Sequence, residues 1–349
     1  MTTTINNEHK KLNVPNLRFP EFQGEWKEYR IEDLTENISS GKCKSHSSNG
    51  EYNLYGSTGI IGKTDEACYE GNLVLVARVG ANAGFLQIIN EPCGITDNTL
   101  IIKPQKVGAQ YIYYYLQHFN LNRLIFGSGQ PLITGGMLKK VKVSLGNIQE
   151  QNKLTRLLSL LDERIATQNK IIDKLQSLIK GIADKLFQTA RTTKPLLEFA
   201  PNITSGTDKS GSGTIPLYGS TGIIGTVKNA SQKGNIVLVA RVGTIGTVQY
   251  VNEPCGVSDN ALIVEAGEMT KYIYHFLKTY NFARITSGTT QPLITASSLK
   301  KAAIPTYDFE SQTRIVLCLN GLEKKLDIAK QYLSEIAVMK QYLLRQMFI

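Results

Sequence analysis

The sequence predicts an α+β fold: two similar β-rich globular domains joined by two long antiparallel coiled-coil helices, as a dumbbell with approximate two-fold symmetry. Two observations predict it. A domain-sized sequence occurs twice, and each copy is followed by a long helical segment with an apolar seam. The chain of 349 residues is also long enough for about two domains with their own cores.

The duplication is visible in several matching segments. NLVLVARVGANAG at Asn72–Gly84 returns as NIVLVARVGTIG at Asn235–Gly246, and NEPCG occurs in both copies. YIYYYL and QPLIT each have a counterpart about 160 residues later as well. Solenoid repeats have periods of about 20–50 residues, so the unit repeated here is a whole domain.

Within each copy, short apolar runs alternate with turn-forming residues. NLVLVARV and NTLIIK are rich in aliphatic and β-branched side chains and are bounded by glycine, Asn-Glu-Pro or Thr-Asp-Asn. This pattern predicts short strands connected by turns. The segment GAQYIYYYLQHFNLNRLI, residues 108–125, predicts a helix in the first domain, with its tyrosines in the core rather than on a base-stacking surface.

Each copy ends in a segment whose apolar residues recur every three or four positions. This spacing is typical of a coiled-coil seam, with amphipathic helices of an ordinary bundle as the alternative. Gln168 and Lys340 are polar at seam positions, which costs stability but can fix the register of two helices. The predicted seam residues are Leu154, Leu158, Leu161, Ile165, Gln168, Ile172, Leu175, Ile179, Ile182 and Leu186, and then Ile315, Leu319, Leu322, Leu326, Ala329, Leu333, Ile336, Lys340, Leu343 and Met347.

The connectivity of these segments predicts their geometry. The second domain begins a few residues after the first helix ends, so it must lie at the far end of that helix. To share a seam, the second helix then has to run back antiparallel to the first. The predicted boundaries are 1–147 for the first domain with its N-terminal segment, 148–189 for the first helix, 190–308 for the second domain and 309–349 for the second helix.

Composition points to a polyanionic partner. The formal net charge is +10 and the pI is about 9.2, which favours nucleic-acid binding, with a merely basic protein as the alternative. No apolar run approaches the roughly 18 residues of a membrane helix, and the N-terminus lacks a signal-peptide pattern. Five scattered cysteines without a C-x-x-C pair predict a reduced, cytoplasmic protein, with Cys93 and Cys255 in the core.

One segment resembles part of a phosphate-binding loop. LYGSTGIIGKT, residues 54–64, ends in Gly-Lys-Thr, but a P-loop requires glycine where Ser57 stands. The second copy reads LYGSTGIIGTV, with Thr226 in place of the lysine. A nucleotide hydrolase that uses this loop therefore ranks last among the functions considered.

The sequence contains no recognisable catalytic set. The four histidines are His9, His46, His118 and His275, and none has a histidine at the matching position of the other copy. There is no Asn/Asp-Pro-Pro-aromatic element, no cofactor glycine loop, no metal-ligand cluster and no Ser-His-Asp pattern. We expect the chain by itself to be non-catalytic and to hold no metal.

Four kinds of segment together resemble a known family. These are NLRFPEFQGEWKEYRIEDL, the two LYGSTGIIG segments, the loops FGSGQPLIT and SGTTQPLIT, and the helix start IQEQNKLTRLLSLLDERI. In combination they resemble the specificity subunits of type I restriction-modification systems over nearly the whole chain. RFPEFQGEW has no clear copy before the second domain, where TARTTKPLLEFAPN stands instead.

The resemblance implies a role in a host-defence complex. In that family each globular part is a target-recognition domain that reads one half of a bipartite, gapped double-stranded DNA target. The helices set the gap and dock two methylation subunits, and two motor-nuclease subunits join them. The resemblance implies no cofactor in this chain, and S-adenosylmethionine, ATP and Mg in the partner subunits. A coiled-coil protein scaffold without DNA binding is the alternative.

The most divergent loops of the two copies are candidates for reading DNA sequence. Ser40–Asn53 in the first copy is polar and basic, and its counterpart Ser205–Pro216 is shorter and differs most in sequence. Idle surface loops would look the same, which is the alternative. The predicted reading residues are Lys42, Lys44, His46, Lys209 and Ser210.

Polar residues shared by both copies are candidates for sequence-independent contacts with the DNA backbone. Arg78 and Arg241 each precede a Val-Gly turn, and for them a phosphate contact is favoured over a structural salt bridge. Because the copies are so alike, we also expect the two half-sites to be near inverted repeats. The predicted backbone contacts are Ser57, Thr58, Arg78, Gln130 and Thr134, with Ser220, Thr221, Arg241, Gln291 and Thr295.

Overall fold

A computed structural model of the protein describes residues 12–43, 47, 49–125, 131–190, 192–288 and 292–349. The chain divides into two units. The first unit comprises Met1–Thr167 and Tyr332–Ile349, and the second comprises Gln168–Gln331. Within the ranges described, no helix has the length and apolar character needed to cross a bilayer.

The first part of the chain is rich in short strands. Its strands are β1 Lys27–Arg30, β2 Thr35–Ser40, β3 Tyr52–Gly56, β4 Gly59–Thr64, β5 Leu73–Ala77, β6 Leu86–Ile89, β7 Cys93–Ile95, β8 Thr99–Pro104 and β9 Lys142–Leu145. Its helices are α1 Ile31–Leu34, α2 Ala109–Phe119, α3 Gly135–Lys139 and the long α4 Ile148–Gln188.

The same succession follows in the second part. Its strands are β10 Thr192–Pro195, β11 Thr204–Ser205, β12 Ile215–Tyr218, β13 Ile223–Val227, β14 Ile236–Ala240, β15 Val248–Val251, β16 Gly256–Val257, β17 Ala261–Val264 and β18 Ala303–Thr306. Its helices are α5 Thr270–Thr279, α6 Ala296–Lys300 and the long α7 Phe309–Met347.

Sheet topology confirms the duplication read from the sequence. In the first unit an antiparallel sheet has the order β2-β8-β5-β6, a smaller sheet has the order β4-β3-β7 with β3 and β7 parallel, and β1 pairs with β9. The second unit repeats this as β11-β17-β14-β15, β13-β12-β16 and β10-β18. Equivalent strands therefore pair in equivalent ways, and the fold is mixed α+β as predicted.

The central strands explain why the repeated LVLVA and IVLVA segments are apolar throughout. Val74 and Val76 of β5 pack into a core with α2, whereas Leu73 and Leu75 face a second core shared with Cys93. β14 in the second unit is divided between two cores in the same manner. A strand covered on both faces needs a continuous apolar run rather than alternation.

The predicted helix at residues 108–125 is shorter in the structure. Asn120 adopts a left-handed conformation with φ of 59° and ends α2, and a 3₁₀ turn over Leu121–Leu124 follows. Asparagine tolerates this backbone region because its short polar side chain bonds locally, here by accepting from the N–H of Asn122. The tyrosines of α2 do pack in the core, where Tyr111, Tyr114 and Tyr115 are buried.

The apolar seam of the long helices is confirmed by burial. Every predicted seam position is at least partly buried, from Leu154 and Leu158 on α4 to Ile315 and Leu319 on α7. Several positions between them, such as Leu160 and Leu317, are exposed, whereas Ala183, Phe187 and Leu344 are buried beside the seam. The polar seam residues behave as register-fixing positions should, because each has a specific partner.

Within each unit the helix segments run antiparallel. In the first unit, Lys340 Nζ of α7 lies 2.6 Å from Asp162 Oδ1 of α4, and the Arg164 guanidinium lies over the ring of Tyr332. Later residues of one helix thus meet earlier residues of the other. In the second unit, Gln168 Nε2 donates to the carbonyl of Ala329 at 3.0 Å.

Candidate nucleic-acid interface

The repeated Ser-Thr-Gly motif forms the tip of a β-hairpin in each unit. Ser57 and Thr58 turn the chain between β3 and β4, and Gly59 follows with φ of 138°, a value that L side chains rarely adopt. The second unit repeats this turn, with φ of 141° at Gly222. Since β4 contains Lys63 and no helix follows it directly, LYGSTGIIGKT is a hairpin and not a phosphate-binding loop.

The serine of each tip is tied to the end of a neighbouring loop. Ser57 Oγ donates to the carbonyl of Asn98 at 3.3 Å. Ser220 Oγ donates to the carbonyls of Val242, at 3.2 Å, and Asn260, at 3.4 Å. The threonines Thr58 and Thr221 are exposed. The serine therefore orients the tip, while the threonine is accessible from solvent.

Arg78 joins three of the predicted site segments in the first unit. Its backbone N–H donates to the carbonyl of Asn98 at 2.9 Å, the same oxygen that Ser57 approaches. Its own carbonyl accepts from the N–H of Ile133, next to Thr134, at 2.9 Å. We call this constellation of Ser57, Arg78, Asn98 and Ile133 the first hub.

The second unit contains an equivalent hub. The N–H of Arg241 donates to the carbonyl of Asn260 at 3.0 Å, and the carbonyl of Arg241 accepts from the N–H of Ile294 at 3.0 Å. We call Ser220, Arg241, Asn260 and Ile294 the second hub. Both hubs bring together residues that are far apart in the sequence, including the predicted pair Ser57 and Arg78 in the first unit and the predicted pair Ser220 and Arg241 in the second.

Neither hub guanidinium is neutralised within the described part of the chain. No described carboxylate forms an ion pair with Arg78 or Arg241, and the Nε of each is buried without a hydrogen-bond acceptor among the described residues. Arg241 Nη1 donates to Ser205 Oγ at 2.8 Å. Because a guanidinium prefers a bidentate oxyanion, these half-buried arginines are suited to an external phosphate.

Thr134 and Thr295 each cap a short helix. Thr134 Oγ1 accepts from the N–H of Met137 at 3.3 Å and caps α3, and Thr295 Oγ1 accepts from the N–H of Ser298 at 3.1 Å and caps α6. Capping satisfies a helix N–H that would otherwise lack an intrahelical partner. This structural role alone explains why threonine occurs at both positions, and it stands beside the predicted DNA contact.

The divergent segments leave the sheet at equivalent glycines. A Cβ at Gly41 would lie 2.3 Å from the carbonyl oxygen of Ile95, and one at Gly206 would lie 2.2 Å from that of Val257. Past these contacts, Lys42 is exposed in the first unit, as are Lys209 and Ser210 in the second. The predicted residues Lys44, His46, Gln130 and Gln291 lie outside the described residues.

Sequence reasoning missed two amide residues in each copy that build this surface. Asn98 and Asn260 supply the hub carbonyls and are exposed. Gln87 Nε2 donates to the carbonyl of Gly56 at 2.9 Å, and Gln249 Nε2 donates to that of Gly219 at 2.9 Å. The sequence did contain a signal for them, because both are repeated: the asparagine occurs in TDN and SDN, and the glutamine occurs in LQI and VQY.

Two consecutive isoleucines beside each tip were also missed. Ile60 and Ile61 are 56% and 48% exposed, and Ile223 and Ile224 are 61% and 52% exposed. Isolated exposed aliphatic residues are ordinary, but the same exposed pair at the same place in two domains is not explained by chance surface composition. The pairs give each hairpin an apolar edge next to its hub.

A tyrosine–glutamate pair braces each hairpin from the other side. Tyr55 OH donates to Glu91 Oε1 at 2.7 Å, and Tyr218 OH donates to Glu253 Oε1 at 2.7 Å. Burial, with the hydrogen-bonded glutamate, raises the pKa of Tyr55 and of Tyr218 to about 12. Both hydroxyls therefore stay protonated near neutral pH and continue to donate.

No group of three or more potential metal ligands occurs among the residues that the structure describes.

Comparison with known proteins agrees with this arrangement. A family model for the type I restriction modification DNA specificity domain matches residues 23–177 and, a second time, residues 193–338. The two matches cover most of the chain, and each includes one hub.

Curated relatives are similar over shorter stretches. The putative type I restriction enzyme MjaX specificity subunit of Methanocaldococcus jannaschii is 34% identical over 97 residues, covering 26% of this chain and 23% of that protein. The MjaVIII specificity subunit of the same organism is 31% identical over 121 residues, covering 33% of this chain and 28% of that protein. The matched stretches thus span about a quarter of the length of these relatives.

Solved structures share the fold over nearly the whole length. The crystal structure of the type I restriction-modification system S subunit from M. genitalium superposes with a TM-score of 0.73 at 20% identity, covering 96% of this chain and 99% of that chain. A chain from a study of complex assembly and conformational transition of the type I R-M system has a TM-score of 0.55 at 12% identity, covering 91% and 96%. With two copies of the domain, the protein belongs to the type I restriction modification DNA specificity domain family.

Proposed function

We propose that this chain is the sequence-specific DNA-recognition subunit of a type I restriction-modification complex, in which each domain reads one half of a bipartite, gapped duplex target. The observation that carries the proposal is the occurrence of two equivalent hubs, each with an exposed hairpin tip beside an arginine that has no described carboxylate partner. The membership of the chain in the DNA specificity family supports it.

Each hub supplies the two kinds of contact that a DNA reader needs. The arginines Arg78 and Arg241 are suited to phosphate, and the exposed threonines Thr58 and Thr221 can donate to backbone oxygens. The apolar pairs beside the tips suit the methyl groups and sugars that line DNA grooves. Lys42, Lys209 and Ser210 lie on the divergent segments and remain our candidates for base reading, together with Lys44 and His46.

The copies share their hub residues, which leads to an expectation about the target. If similar surfaces approach a duplex from two domains related by a two-fold axis, the half-sites are near inverted repeats. The divergent segments would then account for the positions at which the half-sites differ. Methylation mapping of DNA exposed to the complex measures this directly, and two wholly dissimilar half-sites would contradict it.

Catalysis, in this proposal, belongs to partner subunits. Two methylation subunits dock on the long helices and carry S-adenosylmethionine, and two motor-nuclease subunits use ATP and Mg. Exposed apolar side chains along the helices, including Leu160, Leu178, Ile328, Val338 and Tyr342, support a docking role for them. The chain itself performs no chemical step.

The decisive experiment measures half-site recognition in the complex with the methylation subunits. Arg78→Ala should weaken binding to a duplex that carries the target by about tenfold and reduce its salt dependence by about one phosphate contact, because one charge-assisted contact is lost. Arg241→Ala should do the same through the other half-site. Binding is measured by fluorescence anisotropy over a series of salt concentrations.

Matched controls remove a cation from the same domain outside the hub. Lys103 and Lys194 are exposed and each forms an ion pair, with Glu36 and Glu198 respectively. Lys103→Ala and Lys194→Ala should leave DNA affinity within about twofold, because exposed ion pairs contribute little. If wild-type complexes bound DNA without salt dependence, or not at all, the scaffold alternative would replace the proposal.

A further inference from the structure

Two cysteines of the first unit lie unusually close together. Cys43 Sγ and Cys68 Sγ are 2.7 Å apart, whereas a disulfide bond measures about 2.05 Å. Cys43 is buried, with 8% of its surface exposed, and Cys68 is exposed. Little movement therefore separates this thiol pair from a covalent bond, and one of its sulfurs is accessible to a reagent.

The pair connects two segments that the sheet has already positioned. The N–H of Cys43 donates to the carbonyl of Ile95 at 3.0 Å, directly after the tight approach of Gly41 to the same carbonyl. The residue after Cys68 is Tyr69, whose N–H donates to the carbonyl of Cys93 at 3.0 Å. A bond between the sulfurs would fasten the start of Ser40–Asn53 to the chain between β4 and β5.

The second unit has a different pair at the equivalent place. The N–H of Asp208 donates to the carbonyl of Val257 at 2.9 Å, as Cys43 does in its unit, and Gln232 pairs with Cys255 as Tyr69 does with Cys93. Asp208 and Ser231 thus occupy the positions of the two thiols. Ser231 Oγ donates to Asp208 Oδ2, which also accepts from the N–H of Val257 at 2.8 Å.

We propose that Cys43 and Cys68 form a thiol-oxidation site, at which a small disulfide oxidant installs an intramolecular bond that fixes the start of the divergent segment. The second unit fastens its own segment through Asp208 and Ser231, which cannot be oxidised in this way. The link between the two segments therefore depends on oxidation in the first unit and is independent of it in the second.

The reaction with oxidised glutathione balances as two thiol–disulfide exchanges. The exposed Cys68 loses its proton, its thiolate attacks one glutathione sulfur, and the other glutathione leaves as a thiolate and takes up a proton. The Cys43 thiolate then attacks the Cys68 sulfur and releases the second glutathione. Overall, two S–H bonds of the protein are replaced by one S–S bond, and the oxidant is reduced to two thiols.

The effect of the bond on DNA rests on the proposed function. The bond would hold Cys43 against Cys68 directly beside Lys42, which we expect to touch bases, so fewer arrangements of Lys42 remain to be ordered on binding. We expect the oxidised complex to bind the target about fivefold more tightly, which corresponds to immobilising about one side chain. The difference should arise from the half-site read by the first domain.

The experiment treats the full chain with oxidised glutathione, alkylates the remaining thiols and maps the peptides by mass spectrometry. We expect two fewer alkylated cysteines than the five of the reduced chain, and a Cys43–Cys68 crosslink. The hydrogen-bonded Cys43, together with burial, raises the pKa of Cys68 to about 11. Because the thiolate is the attacking species, crosslinking should accelerate as the pH rises from 7 to 9. Stable glutathione adducts without a crosslink would overturn the proposal.

Three variants separate this site from general thiol reactivity. Cys68→Ser should abolish the crosslink, whereas Cys318→Ser should not, since Cys318 is an exposed thiol on α7. The double variant Cys43→Asp with Cys68→Ser reproduces the Asp208–Ser231 pair of the second unit. It should fold and bind DNA, and oxidised glutathione should form no crosslink at this place and leave its DNA affinity unchanged. A crosslink that persists in Cys68→Ser would refute the assignment.

The DNA readout distinguishes the failure of this inference from that of the proposed function. If the crosslink forms and DNA affinity is unchanged while Arg78→Ala still weakens binding, the Cys43–Cys68 bond has no role in DNA recognition. Only the expected effect of the bond on affinity is then overturned. If the crosslink forms but neither redox state binds DNA, the proposed function fails and the oxidation site stands.

Discussion

The two units build the same hub and differ in what surrounds it. Arg78 and Arg241 make the same two backbone hydrogen bonds, at lengths of 2.9 to 3.0 Å. Beside each hub, however, a thiol pair in the first unit takes the place of a carboxylate–hydroxyl pair in the second. The two copies have thus kept the backbone arrangement of the site and differ in the side chains beside it.

A similar contrast occurs where each domain packs on its helices. Tyr114 OH of α2 donates to Asp162 Oδ2 of α4 at 2.9 Å in the first unit. In the second unit the matching positions hold His275 on α5 and Glu323 on α7, and His275 Nε2 lies 2.9 Å from Asn320 Oδ1. Both units keep a polar contact between the domain helix and a long helix, but the first uses a tyrosine and the second a histidine. We therefore expect pH to affect the stability of the two units differently.

The largest expected effect on stability tests whether the backbone around Gly41 and the backbone around Gly206 are equally rigid. Gly41→Ala and Gly206→Ala should each destabilise their own unit by about 3 kcal/mol, because the new Cβ meets backbone atoms, the carbonyls of Ile95 and Val257, that cannot rotate away. Trp26, the sole tryptophan, is buried in the first unit, so its fluorescence during urea unfolding reports Gly41→Ala. Hydrogen exchange in β17 reports Gly206→Ala.

A helical glycine provides the control for this comparison. Gly181 lies within α4, and a Cβ there would meet nothing within 4 Å. Gly181→Ala should therefore stabilise the protein, by about 0.5 to 1 kcal/mol, through helix propensity alone. If Gly41→Ala cost no more than about 0.5 kcal/mol, the frame of the first unit would be more compliant than the structure indicates.

The next effect concerns the polar seam residue of the first unit. Lys340 is buried, with 9% of its surface exposed, and its ammonium is 2.6 Å from Asp162 Oδ1. Lys340→Ala should cost about 2 kcal/mol, less than breaking a fully buried pair because the Asp162 side chain is 36% exposed. Urea unfolding followed by Trp26 fluorescence measures it. Lys340→Met combined with Asp162→Asn restores the packing and removes the unpaired carboxylate, and should recover most of the loss; failure to recover would show that the attraction within the ion pair itself is responsible.

The second unit should lose stability in acid through His275, at the contact between α5 and α7. Burial lowers the pKa of His275, and Lys278 and Lys271 lower it further, against the opposing influence of Asn320 and Glu323. The folded unit thus favours the neutral ring, and its stability is complete above the unfolded pKa of about 6.5. As the pH falls below that value, the unfolded state takes up the proton first. We expect stability to fall as the pH is lowered from 7.5 to 5.5, by at most about 1.4 kcal/mol, which corresponds to one pH unit below the unfolded pKa.

Hydrogen exchange of α5 at the two pH values measures this loss, and His275→Gln should remove it. His118 in the first unit provides the comparison, because burial lowers its pKa as well. His118→Gln should change the acid response of α2 and leave that of α5 unaltered. An α5 that exchanges equally at both pH values in the wild-type chain would contradict the prediction.

Much of the fold followed from two patterns in the sequence, and the reason is physical. The repeat predicted two domains because matching apolar runs form matching strands, and β5 and β14 do pair alike. The seam from Leu154 to Met347 was predictable because helical periodicity is local. The end of α2 at Asn120 was not predicted, since a left-handed residue interrupts an otherwise continuous helical pattern.

The site was only partly predictable because its contacts are not local. Arg78 and Ser57 were predicted from repetition, but the carbonyl of Asn98 that joins them comes from a loop that sheet pairing alone brings near. The closeness of Cys43 and Cys68 depends in the same way on β7, because Cys43 bonds to the carbonyl of Ile95 and Tyr69 pairs with Cys93, and no spacing in the sequence encodes it.

The smallest effect separates a structural from a DNA-binding role at the capping threonines. Thr134→Val and Thr295→Val each remove the cap oxygen at nearly constant volume and should cost about 1 kcal/mol. The loss should be larger for Thr295, because its hydroxyl also lies within hydrogen-bond distance of Ser297 Oγ, at 3.0 Å, and donates to Ser298 Oγ at 3.1 Å. Thr134→Ser and Thr295→Ser keep the oxygen and should retain stability. Unfolding and DNA affinity are measured on the same variants: if Thr134→Val weakened target binding well beyond its effect on stability, the hydroxyl would touch DNA as well as the helix, and the predicted backbone contact would be confirmed.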